Sequence, residues 1–492
     1  MTGGLLLPGA VLLPMLGALL VALTGRRPNL REAMTLLTGA ALFALVGVIL
    51  GRFRAGESLA LTVVQLMPGL SLSFDVEPLG MLFALLASFL WILTSLYSIG
   101  YMRGHHEGHQ TRFYAWFAIA IGSTMGVAFA ANLLTLFVFY ELLTLSTYPL
   151  ITHHGTNEAQ RAGRLYLGIL LGTSIGLLLF AIVWTWRLTG TLDFRNGGIL
   201  AGHASGIVVP VLLGLYAFGI GKAGMMPVHR WLPAAMVAPT PVSALLHAVA
   251  VVKAGVFAIL KVTVYIFGID FLRMTGAGLW LAYAAAVTIL LASVVALTKD
   301  NLKARLAYST ISQLSYIVLG AALANRAGVL GGGLHIATHA VGKITLFFCA
   351  GAIYVATNKT EVSQMAGIGR RMPITMAAYT IGAVSVIGLP PMGGTWSKWF
   401  LALGTAGAHQ YLLLAVLLLS SLLNIGYLLP PAVIGFFARP SDGEEAPEAT
   451  TIAEAPAFCV VPLCITAAGC VALFFFADDI YRFLSAIAGG SP

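Results

Sequence analysis

LGGGLHIATHAVGKITLFFCAGAIYVA, residues 330–356, is apolar and long enough to cross a bilayer, which takes about 20 residues as a helix. It also carries His335, His339 and Lys343. An ionisable group at bilayer depth costs about 2.5–3.5 kcal/mol on insertion scales. A span that keeps three of them needs a polar interior to face. The three stand at i, i+4 and i+8, so on a helix they share one face and rise about 12 Å together. This stretch therefore reads as one inner helix of a membrane bundle.

The rest of the chain agrees. Of 492 residues, 59% are hydrophobic and 9% charged, and the mean hydropathy is +0.92. An ordinary soluble domain is about 25% charged. Too few polar side chains exist to cover a soluble protein of this length. That excludes a cytosolic enzyme, a nucleic-acid binder and a disordered chain, and the net charge of +9 implies no nucleic-acid partner. Apolar runs recur at 3–25, 33–51, 78–102, 113–130, 133–152, 162–186, 208–226, 240–266, 279–297, 303–323, 330–356, 373–396, 410–437 and 457–477. They have helical rather than alternating texture. The expected fold is an all-α polytopic membrane protein of about 14 transmembrane helices. A small hairpin is expected near Leu70–Phe74.

The first run has no basic residue before it and Arg26 and Arg27 after it, the reverse of a cleaved signal peptide. Loops after odd-numbered spans hold roughly twice the Lys and Arg of the others, which marks them as cytoplasmic. Both termini are expected outside, in a bacterial cell (inner) membrane. The loop before the last span is acidic (Asp442, Glu444, Glu445, Glu448, Glu454).

Four lysines fall within or at the broken middle of spans: Lys222, Lys253, Lys343 and Lys398. Lys261 is counted with the loop residues. Glu141, in NLLTLFVFYELLTLSTYPLI (132–151), is the one mid-span acid, and Lys222 is its expected partner. His247 joins Lys253 in LLHAVAVVKAGVF (245–257), six positions away, at the opposite edge of a broader face. Lysine gains and loses protons readily when buried, whereas arginine does not. A row of such groups suits a proton path. Two His at i, i+4 could also bind zinc, but no nearby Cys, Asp or Glu completes a set. No metal or cofactor is expected.

Two spans break. The seventh reads GKAGMMPVHRWLP (221–233) and the twelfth GLPPMGGTWSKWF (388–400). Proline removes a backbone donor and clashes with the preceding turn. In a bilayer such breaks survive only where they line a cavity or are covered by protein. Spans four and nine begin at 113 and 279, and Pro227 and Pro390 (with Pro391) keep nearly that offset. This divides the chain into 1–112, a first five-helix repeat 113–266, a second and inverted one 279–437, and 438–492. Each repeat has a broken fourth helix, the pattern of ion transporters. Three other features are discounted. Gly219, Gly221 and Gly224 form GxGxxG inside a span and read as no dinucleotide site. Gly168, Gly172 and Gly176 read as close helix packing. The four cysteines read as small buried hydrophobes.

Residues 224–257, LKARLAYSTISQLSYIVLG (302–320), LHIATHAVGKITLFFCAGAI (334–353) and residues 388–400 resemble the proton-translocating subunits of respiratory complex I and the Mrp-type sodium/proton antiporters. The likeness covers roughly 75–435. It implies a Glu141–Lys222 pair, a central Lys253, a following group of Lys343 with His335 and His339, and a terminal Lys398. It also implies partner membrane subunits, with protons and sodium as the ions moved. Lys398 at the terminal place is similar to the D-type subunit of the Mrp antiporters. Having both His247 and Lys253 is similar to the large antiporter subunit. A complex I subunit M-like or membrane-hydrogenase subunit is the alternative. The chain stops soon after the fourteenth span, so the extra C-terminal helices of the largest relatives are not expected.

Overall fold

A computed structural model describes residues 3–438 and 452–488, apart from the side chains of Leu246 and His247. Every one of the fourteen expected runs falls on helix. Among the described residues nine helices are long and apolar enough to span a membrane alone. A tenth is Val251–Phe267, bent by 80° from Ile269–Thr275. The other four spans fail that test for physical reasons. Gln110–Ala128 and Leu302–Ala322 bury polar residues such as Thr124, Ser312 and Gln313 in the bundle interior. Val208–Gly219 and Pro373–Ile387 are cut short by the breaks.

The helix Arg326–Thr357 is the axis of the bundle. It is buried from Gly328 to Ile353, and five other spans pack around it: Pro78–Gly104, the eighth with Thr240–Ala244 and Val251–Val262, Leu302–Ala322, the twelfth with both its halves Pro373–Ile387 and Gly394–Gly407, and Ala457–Phe475. Lipid-type residues cover the periphery, where Leu12, Leu37, Val287 and Leu418 are exposed. The exposure is expected, because lipid tails are as apolar as a protein core.

The small hairpin forms from Leu61–Met67 and Leu70–Phe74. Asn132 ties it down by donating to the Ser71 carbonyl (2.9 Å) and Ser73 Oγ (2.8 Å). Several expectations need correction. The twelfth span does not stop at 396: after the break at 388–393 it resumes as Gly394–Gly407, whose face of Gly394, Ser397, Leu401 and Gly404 is buried and which packs on Arg326–Thr357. Gly168, Gly172 and Gly176 are not points of close packing among the described residues: no heavy atom lies within 4 Å of a Cβ placed there. Gly219 and Gly221 are the close-packed ones; a Cβ on Gly219 would lie 2.5 Å from the Leu178 nitrogen. Cys464 is exposed, whereas Cys349, Cys459 and Cys470 are buried. Asp442, Glu444, Glu445 and Glu448 lie outside the described residues. Glu454 is described, and it caps the Pro373–Ile387 helix by accepting from the N–H groups of Ile374 (2.7 Å) and Thr375 (3.2 Å).

Candidate functional site

Each break leaves backbone groups that must find partners inside the bundle. After Val208–Gly219 the chain makes a single tight turn, Gly221–Ala223, and Gly224 takes a left-handed conformation at φ +69°. Trp231 Nε1 donates to the freed Gly221 carbonyl at 3.0 Å. The Lys222 N–H donates to the Tyr140 hydroxyl (3.1 Å). The Lys222 ammonium is fully buried. It donates to the Tyr140 carbonyl (2.7 Å) and Thr144 Oγ1 (2.5 Å), and lies 3.1 Å from the centre of the Tyr140 ring.

This corrects the expected ion pair. Among the described residues Lys222 makes no hydrogen bond to the Glu141 carboxylate; the Tyr140 carbonyl and the Thr144 hydroxyl accept from its ammonium instead. Both Glu141 carboxylate oxygens are buried without a hydrogen-bond partner. A buried polar group left in that condition is costly. The structure therefore places the two charged groups beside each other with the lysine turned aside.

The second cluster is continuous. Lys253, fully buried on Val251–Val262, sets its amine against His339 Nδ1. The His339 ring stacks on His335 with centroids 5.6 Å apart, and His335 stacks on Tyr316 at 5.7 Å. His335 Nδ1 lies 2.8 Å from Ser397 Oγ, next in the chain to Lys398. Lys398 Nζ sits 4.9 Å from the centre of the same Tyr316 ring. It donates to the Ile387 carbonyl (2.9 Å), freed by the second break, and to Ser421 Oγ (3.2 Å). With its amide oriented by the network, Asn424 accepts from Lys398 at 3.0 Å and from Gln313 at 3.0 Å. Three acceptors match the three donors of an ammonium. Lys343 is less well held: its amine donates to the Leu306 carbonyl at 3.2 Å.

The geometry thus brings Lys253, His339, His335 and Lys398 into one line of contacts and places Lys343 one turn beyond His339. Glu141 and Lys222 form a separate group at the first break. The side chain of His247 lies outside the described residues. Its helix turn, Leu245–Val249, is widened to π-helical geometry, so its spacing to Lys253 is not that of a regular helix.

Two groups escaped the sequence reading. Lys261 is no loop residue: it is buried, donates to the Ala130 carbonyl (2.6 Å) and lies 3.4 Å from Glu77 Oε1. Tyr265 donates to Glu77 Oε2 at 2.7 Å. These residues, with Asp75, line a cavity of about 320 Å³. The spacing Lys253, Lys261, Tyr265 on one helical face was the available signal. Glu77 gave none, because it looks like an ordinary helix cap and does cap Pro78–Gly104. At the opposite end of the bundle, Glu107, His154, Lys303, Tyr101 and Thr240 line a cavity of about 220 Å³. Glu107 and His154 are 3.3 Å apart. They come from different loops, so no local motif announces them.

Residues 130–424 match the family described as NADH:quinone oxidoreductase/Mrp antiporter, TM. The chain belongs to this family. Residues 67–114 match a second family, the N-terminus of chain 5 of NADH-ubiquinone oxidoreductase (complex I). The NADH-quinone oxidoreductase/Mrp antiporter match contains Glu141 and every lysine and histidine of both clusters. Among relatives, the chain is 32% identical over 431 residues to NADH-quinone oxidoreductase subunit N of Desulforudis audaxviator, covering 84% of each chain. It is 29% identical to NAD(P)H-quinone oxidoreductase chain 5 of a Picosynechococcus species, over 81% of this chain but 65% of that one. The fold is shared with a chain of the Mrp complex from Dietzia sp. (TM-score 0.86, 22% identity, 99% and 97% covered). It is shared equally with a chain of an archaeal membrane-bound sulfane sulfur reductase (TM-score 0.85, 23% identity, 98% and 97% covered).

Proposed function

We propose that the chain is a proton-conducting membrane subunit of a multi-subunit cation/proton antiporter, similar to the D-type subunit of the Mrp antiporters. The observation that carries this is the row of buried side chains in which Lys253 meets His339, His339 stacks on His335, and His335 and Lys398 both lie against Tyr316. Lys253 and His339 face each other nitrogen to nitrogen, so they share one proton rather than carry one each on the facing atoms. Beyond them, His335 Nε2, Ser309 Oγ and Gln313 Oε1 are buried polar atoms with no hydrogen-bond partner among the described residues. Such atoms suit water-mediated proton transfer. Of the two five-helix units, 113–266 contributes Lys253 to this row, and 279–437 contributes His335, His339 and Lys398, the last bound to the Ile387 carbonyl at its break. The face bearing Glu107 and His154 is taken as cytoplasmic, on the distribution of basic residues. Sodium efflux driven by proton uptake is the proposed exchange, with other membrane subunits as partners.

A second reading is a proton-pumping subunit of a complex I-type or hydrogenase assembly. It is favoured by the 32% identity to subunit N. The subunits that co-purify separate the two: hydrophilic iron–sulfur proteins for a redox-driven pump, small membrane proteins for an antiporter.

In this mechanism Glu141 and Lys222 gate the row. Lys222 rests on Tyr140 and Thr144; swinging it onto the Glu141 carboxylate would move its positive charge and so change the field felt along the row. Glu141→Gln and Lys222→Ala should each abolish sodium-dependent proton movement in everted vesicles, with the protein still in the membrane. Normal exchange in both variants would remove the gating role.

The Glu107–His154 pair makes the cytoplasmic mouth pH-sensitive. Its hydrogen bond with Glu107 raises the His154 imidazole above its ordinary 6.5, and the same bond lowers the Glu107 carboxyl below its ordinary 4.5. The histidine's contribution is complete below pH 6.5 and is lost as pH rises through its raised value. The glutamate's is complete above pH 4.5 and is lost as pH falls through its lowered value. The pair is thus closed in between and opens on the alkaline side. Exchange should rise as the cytoplasmic-side pH passes above that upper limit, and His154→Gln, whose amide does not titrate, should remove this rise. An identical pH profile in the variant would detach the pair from the uptake route.

A further inference from the structure

Glu77 stands before the span Pro78–Gly104 and Glu107 after it, so the cavity of about 320 Å³ at Glu77 lies at the opposite end of the bundle from the Glu107–His154 pair. Asp75, Glu77, Lys261 and Tyr265 are the titratable residues that line it. Asp75 is exposed, whereas Lys261 and Tyr265 are buried. The row from Lys253 to Lys398 uses none of them.

A lysine near the end of a span ordinarily extends its amine to the interface. Lys261 turns inward instead and is 1% exposed. Its amine donates to the Ala130 carbonyl (2.6 Å) and lies 3.4 Å from Glu77 Oε1. The rings of Phe194 and Phe257 cover it, with centres 4.4 and 5.5 Å away. Tyr265, donating to Glu77 Oε2, and the N–H groups of Leu79 (3.0 Å) and Gly80 (2.9 Å) hold the carboxylate from its other side. The carboxylate is thus pinned by three other donors, while the amine is held by one short hydrogen bond and one longer contact. Lysine, unlike arginine, can both give and take a proton in such a place.

Lys253 and Lys261 stand at i and i+8 on Val251–Val262, about 12 Å apart along its axis. Phe257, at i+4 on the same face, lies between them and packs on Phe83 with ring centres 4.9 Å apart. Both rings are fully buried. An apolar constriction of this kind excludes water until it moves.

We propose that Lys261 is the proton-exchanging residue of an outer port, separated from Lys253 by a seal of Phe257 and Phe83. The inference rests on the proton-conducting reading and adds the group through which the row meets the opposite face. When Phe257 turns aside and water enters, an N–H bond breaks at the Lys261 ammonium and one forms at the Lys253 amine. Hydronium in the cavity then gives a proton to the Glu77 carboxylate, and that O–H bond breaks as an N–H bond re-forms on Lys261. One proton has moved inward, and Lys261 and Glu77 are back in their starting states.

The test is sodium-dependent proton movement in everted vesicles carrying the full-length protein with its partner subunits, at equal protein level, with Lys253→Leu run beside each variant. Lys261→Gln and Lys261→Arg should each lower it by about 10²-fold or more, the scale of a positioned acid–base group. Lys261→His should recover part, because imidazole also exchanges protons. Arginine keeps the charge that Glu77 faces but does not release its proton. A lysine needed only to steady Glu77 would therefore leave Lys261→Arg active. Exchange in Lys261→Arg within about twofold of wild type overturns the proposal. Where that variant is absent from the membrane, equal activity in Lys261→Gln and Lys261→His overturns it instead. Loss in Lys253→Leu with normal exchange in Lys261→Gln removes the port alone; normal exchange in both removes the proton-conducting reading as well. Phe257→Ala should speed the sodium-independent decay of an imposed pH gradient severalfold, and an unchanged decay rate overturns the seal.

Discussion

Vesicles carrying Lys253→Leu should show sodium-dependent proton movement reduced by about 10²-fold or more, the scale on which a positioned acid–base group contributes to proton transfer. Leucine keeps the volume, so the helix Val251–Val262 still packs, but His339 loses the nitrogen it faces. The row is then cut at its first link, while Glu141, Lys222 and Lys398 keep all their own contacts. Lys253→His should restore part of the activity, since imidazole also exchanges protons. Exchange within twofold of wild type in Lys253→Leu, at equal protein level, would mean that protons bypass the His339–His335 line, and the proposed route would be wrong.

The second large effect involves no ionisable group. Gly255→Ala should lower the melting temperature of the detergent-solubilised protein by several degrees and remove exchange as well. A Cβ at Gly255 would lie 2.4 Å from the Lys222 carbonyl carbon and 2.4 Å from the Ala223 nitrogen. Those are backbone atoms of a break held on its other side by Trp231 and Tyr140, so they cannot yield cheaply. Overpacking of this kind typically costs about 1–3 kcal/mol. Whatever movement relieves the clash displaces Lys222 from Tyr140 and Thr144. Gly168→Ala is the control: it adds the same methyl to the same kind of helix, where nothing lies within 4 Å. If Gly255→Ala and Gly168→Ala behave alike, the close approach of these two spans does not position Lys222.

How much of the site was legible beforehand depended on whether its residues were neighbours along a helix. His335, His339 and Lys343 declare themselves, because the i, i+4 spacing places them on one face whatever surrounds that helix. The breaks at Pro227 and Pro390 declare themselves too, because proline has the same backbone effect everywhere. Lys261 did not. It stands near the end of a span, where a basic residue ordinarily reaches for the interface, and the Glu77 that engages it comes from a different span. On charge alone Lys222 was the expected partner of Glu141. The structure instead gives the lysine the Tyr140 carbonyl and the Thr144 hydroxyl, and leaves the buried Glu141 carboxylate without a hydrogen-bond partner among the described residues.

By itself the amino-acid order determined that this chain lives in a membrane, how many times it crosses and which crossings are broken. Those follow from transfer free energy and backbone chemistry summed over consecutive residues, and both are local quantities. Which buried donor meets which acceptor was decided only when the helices packed. Inside a low-dielectric bundle each polar atom takes the nearest satisfiable partner in space, and that partner usually belongs to another helix.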